Sequence, residues 1–256
     1  MKIHFARGMV ALLALLVALP FPRPARAEDP APTGTHKIRV DIAIHVGSQH
    51  YKMSDVNQVV AARNEEIARL PGISSTGLKL PELTGGSAVG AGIRVWPKEN
   101  IVILADYASL KGSSDDKVPI TSTPGSPELK AQVSAPAQSV GLTVGYFFYQ
   151  PKSWFRLGAG VGGAYYICNG RSGLTLTILH EAASLHGTGV GGHAMALGEI
   201  RVSNQIHFEL AAGYRVAKTG HLTDQGAEVL VNGSPVKADY TGGFARFGLS
   251  VPFGPR

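Results

Sequence analysis

Residues 155–166 read FRLGAGVGGAYY, a stretch whose glycines match the spacing G-x-G-x-x-G. A dinucleotide-binding loop with this motif requires a helix directly after it and an acidic residue roughly 20 positions further on. Glu181 lies near that distance, but the residues that follow the motif, AYYICNGRSG (164–173), include two adjacent aromatic residues and further glycines and do not begin a helix. The glycines therefore need another explanation.

The same stretch alternates with period two, as does a strand with two different faces. One face is apolar, and the other combines small residues with a charge and one tyrosine. The apolar face consists of Leu157, Ala159, Val161, Gly163, Tyr165 and Ile167, and the opposite face of Arg156, Gly158, Gly160, Gly162, Ala164 and Tyr166. This pattern predicts one long strand.

Seven further segments carry a strand signature, which gives eight predicted strands. They cover residues 37–47, 86–96, 101–110, 138–149, 154–168, 188–202, 206–217 and 240–253. Three connections, 97–100, 150–153 and 203–205, are short enough for hairpins, and the other four run about 18 to 38 residues. An even number of strands with short turns at one end and long loops at the other predicts an all-β fold, an eight-stranded antiparallel up-and-down transmembrane β-barrel.

The first long loop, residues 48–85, contains a predicted short helix. Ser54 can cap a helix that continues to about Leu70, with an apolar stripe opposite a polar face. The stripe consists of Val56, Val59, Val60, Ala62, Ile67 and Leu70. Two interpretations remain for this helix: packing on the barrel rim for stability, or gating of a ligand at the barrel mouth.

A soluble exported barrel of the lipocalin kind would show the same alternation with its apolar face inward. The distribution of glycine favours the membrane version, because Gly158, Gly160 and Gly162 share a face with Arg156, and glycines also accompany Arg94. Eight strands leave an interior barely wide enough for side chains. The glycines are therefore predicted to make room for long charged side chains in a polar lumen.

The aromatic residues are concentrated toward the two ends of the predicted strands, which predicts one aromatic belt at each membrane interface. Those near the short turns are Trp96, Tyr146, Phe148, Tyr149, Trp154, Phe155 and Phe253, and those near the long loops are Tyr51, Tyr107, Tyr165, Tyr166, Tyr214 and Tyr240.

The first 27 residues have the pattern of a cleaved signal peptide, with a basic start, an 11-residue apolar run and a small-x-small site at residues 25–27. The run is too short to span a bilayer as a helix. The predicted organisation is a signal peptide over 1–27, an N-terminal periplasmic segment over 28–36 and a barrel over 37–256. The predicted location is the outer membrane of a Gram-negative bacterium.

Charge and cysteine content exclude several classes of function. Removing the signal peptide takes four of the 24 basic residues and no acidic one, leaving 20 against 18, so no nucleic-acid partner is expected. The single cysteine, Cys168, excludes an internal disulfide and a multi-thiolate zinc site. No cofactor is expected.

The chain after residue 27 resembles the small eight-stranded outer-membrane barrels of the OmpA, OmpX and OmpW type. The resemblance rests on LGAGVGGAYY (157–166), on the hairpin GEIRVSNQIHFELAAGYRV (198–216), and on a last strand alternating Phe247, Leu249, Val251 and Phe253. It implies a last strand that the barrel-assembly machinery reads, a signal that usually ends in an aromatic residue; here residues 254–256 follow Phe253. Because this scaffold hosts porins, adhesins, enzymes and anchors, the resemblance implies no single activity.

The candidate site is a set of charged residues predicted to face the lumen. They are Arg39, Asp41, His45, Arg94, Arg156, Glu199, Arg201, His207, Glu209, Arg215 and Arg246. The strand register is less well defined for Glu199 and for a further acidic residue, Asp106. Charges in a packed interior must be paired. A structural plug is the favoured interpretation, and a narrow conducting path or proton relay is the alternative.

Histidines offer two further candidates. His180, His186 and His193 occur on or near the third long loop beside Glu181, but spacings of six and seven residues are unlike a helical metal motif. Surface or rim histidines are expected there, and no metal site. Some barrels of this size modify lipid A with a lipid-facing His and Ser, but His45 and His207 are predicted to point inward, so no catalytic residue is assigned.

These features predict an integral outer-membrane barrel that is not an enzyme, with a structural or surface-interaction role and a lumen filled by charged side chains. A narrow porin or small-molecule channel is the alternative, and a lipid-modifying enzyme is a weaker one. The expected partners are outer-membrane lipid, the barrel-assembly machinery and an extracellular ligand at the long loops.

Overall fold

The structure is a computed structural model that describes residues 38–70, 78–119, 128–152, 154–176, 179–203 and 205–253. The predicted signal peptide over 1–27 and the segment 28–36 lie outside these residues, so both stay predictions. Residues 254–256, which follow the last strand, also lie outside the described residues.

The described residues form one helix and fifteen strands, several of them very short. In chain order these are β1 (Arg39–His50), α1 (Ser54–Arg69), β2 (Gly85–Lys98), β3 (Ile101–Leu110), β4 (Ser113–Pro119), β5 (Glu128–Ser134), β6 (Ala137–Lys152), β7 (Phe155–Leu176), β8 (Leu179–Arg201), β9 (His207–His221), β10 (Thr223–Asp224), β11 (Ala227–Glu228), β12 (Leu230–Val231), β13 (Ser234–Pro235), β14 (Lys237–Asp239) and β15 (Gly242–Phe253).

Eight of these strands close into a ring. The order around the ring is β1, β2, β3, β6, β7, β8, β9 and β15, and β15 pairs again with β1. Every neighbouring pair in this ring is antiparallel. The predicted eight-stranded antiparallel up-and-down barrel is therefore confirmed.

Side chains alternate between the two sides of the ring in the predicted sense. On β7, Val161 is 65% exposed on the outside, whereas Arg156 and Tyr166 are each 2% exposed on the inside. On β1, Ile42 and Ile44 face outward and are about half exposed, 49% and 58%. The apolar face points outward, so the lipocalin alternative is wrong.

Interior glycines lie where side chains from neighbouring strands meet. Gly162 lies between Thr143 and His193 in the hydrogen-bonded ladder, and these two side chains meet above it. A Cβ atom on Gly162 would lie 2.7 Å from the His193 ring and 2.8 Å from the Thr143 hydroxyl. The glycine therefore makes room for this contact, although the sequence predicted room for long charged side chains and the neighbours here are Thr143 and His193.

Much of the sequence predicted as long loops is strand. β7 and β8 continue past the ring as one paired ribbon up to Leu176 and Leu179, whereas the sequence predicts a loop over residues 169–187. β4 and β5 form a hairpin, and β5 extends the sheet by pairing with the upper part of β7. β5 has one apolar face, Leu129, Ala131 and Val133, which is buried in the core cluster, whereas β4 and the upper parts of β7 and β8 are mostly polar and are held as strands chiefly by pairing.

Helix α1 packs on the long-loop end. Its buried residues are Val56, Val59, Val60 and Ile67, which belong to a cluster with Leu80, Leu83 and Tyr240. Met53, with φ of 46°, precedes the helix, and no side chain caps it. The prediction that Ser54 is the cap is wrong, because Ser54 is already the first helical residue and its hydroxyl meets Asp55.

Two asparagines fix α1 to the segment that follows it. The Asn57 amide exchanges two hydrogen bonds with the backbone of Leu83, at 2.7 and 3.1 Å. Asn64 does the same with Leu80, at 2.8 and 3.0 Å. These contacts bind the helix in place over the end of the barrel. Among the residues that the structure describes, no helix is long and apolar enough to cross a membrane.

The aromatic belts are only partly as predicted. Tyr146, Phe148, Tyr149 and Phe253 are exposed near the short turns, and Tyr107, Tyr165 and Tyr214 near the long loops. Trp96, Tyr51, Tyr166 and Tyr240, however, are buried inside. The physical reason is the period of two: Trp96 lies two residues after Arg94, and Tyr166 shares the face of Arg156, so both point inward.

Replacing Gly160 with Leu is expected to destabilise the barrel, and Val161→Leu is expected to be nearly silent. A Cβ atom on Gly160 already lies 3.1 Å from Thr143 and 3.3 Å from Leu197, so a larger side chain overpacks the interior by about 1–3 kcal/mol. Val161 points outward and is 65% exposed. Urea titration of protein refolded in lipid vesicles measures both changes, and the reverse order would contradict this orientation of β7.

Candidate functional site in the barrel interior

The most densely charged part of the interior surrounds Glu199 at the short-turn end; we call it the basal network. Glu199 lies on β8 directly between Arg156 on β7 and Glu209 on β9. Its side chain has no exposure to solvent. The period of two places all three residues on the inner face, so the network is a direct product of strand register.

Glu199 binds two buried arginines. Its Oε1 accepts hydrogen bonds from Nε and Nη2 of Arg156 at 3.0 and 2.6 Å, and its Oε2 accepts one from Arg94 at 3.2 Å. Arg94 also donates to Glu209 and to the Ser250 hydroxyl. Each buried charge therefore meets an opposite charge, as desolvated charges require.

Three arginine guanidinium groups of the basal network lie against the indole ring of Trp96. The guanidinium carbons of Arg39, Arg94 and Arg156 lie 4.4, 4.9 and 3.9 Å from the centre of its ring. The indole Nε1 donates to Asp41 at 2.7 Å, and Arg39 donates to the same Asp41 oxygen at 2.8 Å. Cation–π contacts of this kind are stabilising where water is excluded. The sequence reasoning missed Trp96 here, although its spacing from Arg94 could have revealed it.

Arg201 and His207 lie at the edge of the basal network. Arg201 Nε is 3.5 Å from Glu199, with a third of the side chain exposed, and His207 Nδ1 is also 3.5 Å from Glu199. Arg156 in addition donates from Nη1 to the backbone carbonyl of Glu99 in the β2–β3 turn at 2.9 Å. This last contact ties the network to a short turn.

A second, smaller group lies in the middle of the barrel. Arg246 donates to Asp106 at 3.3 Å, and His45 Nε2 lies 4.0 Å from the same carboxylate. Asp106, whose register was poorly defined in the sequence, is thus on the inner face. His193 also lies here, 2.7 Å from the Thr143 hydroxyl.

The interpretation of His193 as a rim histidine is wrong, because β8 begins well before it and its position faces inward. Of its proposed companions, His186 is on the exposed upper ribbon and meets Asn169 at 3.0 Å. The side chains of His180 and Glu181 lie outside the described residues. No group of three or more His, Cys, Asp or Glu side chains within the described ranges could hold a metal ion.

Arg215 stands apart in the upper interior. It is 7% exposed, and its guanidinium carbon lies 5.5–6.0 Å from the rings of Tyr51, Tyr166 and Phe244. Tyr240 completes this aromatic group, at 5.6 Å from Tyr51 and 6.0 Å from Tyr166 between ring centres.

Two of these tyrosines, Tyr51 and Tyr240, belong to the loops above the ring. Burial raises the pKa of Tyr51 to about 12, and burial also raises the pKa of Tyr240. Both phenols therefore stay protonated at any ordinary pH. The Tyr240 hydroxyl donates to the backbone carbonyl of Ala135 at 3.0 Å, which joins the loop before β15 to the loop before β6.

Small cavities occur between these layers. One of ≈ 20 Å³ lies between His45, Arg94 and Thr143, and one of ≈ 60 Å³ lies between Asp106, Tyr166 and Arg215. A buried water needs at least roughly 10–15 Å³ of such space, so the first cavity has room for about one water and the second for more than one.

The eleven lumenal candidates thus fall into three places. Arg39, Asp41, Arg94, Arg156, Glu199, Arg201, His207 and Glu209 form the basal network, His45 and Arg246 join Asp106 in the middle, and Arg215 is separate. Neither His45 nor His207 faces outward toward lipid. Sequence reasoning missed Trp96, Ser250, Thr143 and the buried tyrosines.

Comparison with known proteins gives likeness of structure only. No protein-family model matches the chain, and no curated protein matches it in sequence. The chain is similar to the solved structure of Neisserial surface protein A, with 13% sequence identity, a TM-score of 0.38, and coverage of 84% of this chain and 96% of that one. It is also similar to Ail, the attachment invasion locus protein of Yersinia pestis, with 10% identity, a TM-score of 0.38, and coverage of 85% and 100%. A third similar structure is the outer membrane protein OprG of Pseudomonas aeruginosa, with 13% identity, a TM-score of 0.39, and coverage of 85% and 95%. At these values the likeness carries no argument about function, and the barrel is established by its own closed ring.

Replacing Glu199 with Ala is expected to cost about 3–5 kcal/mol, because it leaves Arg94 and Arg156 buried without their shared carboxylate. Glu128→Ala is the matched control, since Glu128 pairs with Lys117 at 3.3 Å on the surface with both side chains more than half exposed. Such a pair contributes at most about 1 kcal/mol. Urea unfolding in vesicles measures both, and equal effects would contradict a structural role for the basal network.

Proposed function

We propose that this chain is an integral outer-membrane β-barrel that is exported and inserted as a structural or surface-interaction protein, with its lumen closed by paired charges. Its proposed partners are the lipid around the barrel, the barrel-assembly machinery that reads β15, and an extracellular ligand at the long-loop end.

One observation carries the membrane part of the proposal, namely the outer surface of the ring. Large apolar side chains on every strand of the ring are exposed there, among them Ile42, Val89, Val144, Val190 and Val251. A soluble monomer rarely exposes a continuous apolar surface of this size. Lipid chains cover such a surface, and a closed ring leaves no backbone group unpaired within the bilayer.

The basal network supports a closed lumen. Trp96 with Arg94, Arg156 and Glu199 fills the interior near the short turns, and each of these four residues is at most 4% exposed. Wide aqueous lumens belong to barrels of 16 or more strands, whereas eight strands are filled by side chains. A plug held by several charge-assisted hydrogen bonds is costly to open.

The upper ribbon of β7 and β8 supports a role at the cell surface. The two strands stay paired from the ring to Leu176 and Leu179, and β4 and β5 widen the sheet beside them. Strands need only ~9–11 residues to cross a bilayer, so β7, with 22 residues, continues well beyond it. Such a projecting sheet suits contact with a partner more than transport.

Membrane insertion predicts that the protein fractionates with outer membranes and migrates differently in detergent gels before and after boiling. The closed hydrogen-bonded ring resists detergent until it is heated, which is the reason for the mobility difference. Recovery in the soluble periplasmic fraction, without any mobility difference, would refute insertion.

A closed lumen predicts no steady conductance when the purified protein is added to a planar lipid bilayer. The variant Trp96→Ala with Arg156→Ala removes two of the largest plug residues and is expected to give measurable current. Protein of confirmed insertion that conducts without any substitution would favour the porin alternative instead.

A further inference from the structure

We propose that the cavity beside Arg215, here called the upper cavity, is a binding site for a small oxyanion of the carboxylate class. The upper cavity has a volume of ≈ 60 Å³ and lies between Arg215, Arg246, His193, Asp106 and Tyr166. It is separate from the basal network and plays no part in closing the short-turn end.

Arg215 is the interior arginine for which the described residues provide no carboxylate. Arg94 and Arg156 bind Glu199, and Arg246 binds Asp106. Arg215 is 7% exposed, and its Nε and Nη2 have no hydrogen-bond partner among the described residues. A buried guanidinium without an acceptor is costly, so a missing partner is indicated.

The aromatic rings around Arg215 do not supply that partner. Tyr51, Tyr166 and Phe244 attract the cation through their π-electrons. The five N–H groups of a guanidinium, however, lie in its own plane and need acceptor atoms there. The aromatic rings therefore stabilise the positive charge of Arg215 but do not accept hydrogen bonds from its Nε and Nη2.

Three undescribed segments between secondary-structure elements offer no acidic side chain. Residues 71–77, 120–127 and 177–178 contain neither Asp nor Glu. Within the upper cavity, two arginines face the single carboxylate of Asp106, which is already bound to Arg246. One added negative charge would balance Arg215.

The shape of the free donors favours a carboxylate. Arg215 presents Nε and Nη2 on one edge, the pair that binds the two oxygens of a carboxylate in parallel. The hydroxyl of Tyr51, whose ring lies 5.7 Å from the Arg215 guanidinium, is also without a partner among the described residues. The upper cavity has room for an anion of acetate size.

Acetate is the probe, tested on full-length barrel refolded in neutral lipid vesicles at constant ionic strength. A bound ligand raises the ratio of folded to unfolded protein by the factor 1 + [ligand]/Kd. The ratio, measured by urea titration, is expected to rise about tenfold for each tenfold increase of acetate above its Kd. The control is the bulkier anion 2-(N-morpholino)ethanesulfonate, which carries a sulfonate instead of a carboxylate and is expected to have a much weaker effect.

Two variants assign the effect to the upper cavity. Arg215→Met removes the fork but keeps the length of the side chain, and it is expected to abolish the response to acetate. Arg201→Gln, at the partly exposed edge of the basal network, is expected to keep it. If Arg215→Met does not fold, Arg215→Lys is used, which keeps the charge but loses the parallel donors and is expected to weaken the response at least tenfold.

The proposal is overturned if the wild-type barrel does not respond to acetate, since water then satisfies Arg215. It is also overturned if both anions act equally, or if Arg215→Met retains the response, because either result indicates a general salt effect.

Discussion

The interior volume of an eight-stranded ring is the constraint on which the rest of this structure depends. Arginine, glutamate and tryptophan side chains from opposite walls meet in that space, so each large residue requires a small one beside it. Gly162 below the Thr143–His193 contact and Gly160 beside Leu197 are examples. The same constraint explains the pairing of charges, because the Glu199 side chain has no exposure to water and accepts hydrogen bonds from Arg94 and Arg156 instead.

Period two predicted the strands and their two faces, loop lengths predicted the ring, and the glycines that accompany Arg94 and Arg156 predicted which face points inward. The alternation of Arg156 with Leu157 and of Asp41 with Ile42 fixes which face is buried, and a shift of one residue would invert every strand. The errors arose where this rule was set aside: Trp96 and Tyr166 were assigned to interfacial belts by residue type, although their positions place them inside. Position in the strand decides burial more strongly than aromatic character does.

Other features depend on contacts that the sequence does not display. Glu199 and Arg94 are 105 residues apart, so their hydrogen bond follows only from the closed ring. The upper ribbon of β7 and β8 is mostly polar, with Leu174 and Leu185 packed on the core, and its strands depend on their pairing with each other. Met53 before α1 adopts φ of 46°, a conformation that nothing in the local sequence indicates. The lack of a carboxylate partner for Arg215 among the described residues likewise follows only from the three-dimensional structure.

Ring closure between β1 and β15 has a kinetic consequence. Val40 pairs with Phe253, so the first and last strands of the described chain meet only when nearly all of it is available. Contacts so distant in sequence make folding slow, because the entropy of closing a large loop is lost before the contact forms. During that delay the apolar outer faces and the open edges of β1 and β15 are prone to aggregate. A chain of this topology therefore remains vulnerable to aggregation until β15 has arrived and closed the ring.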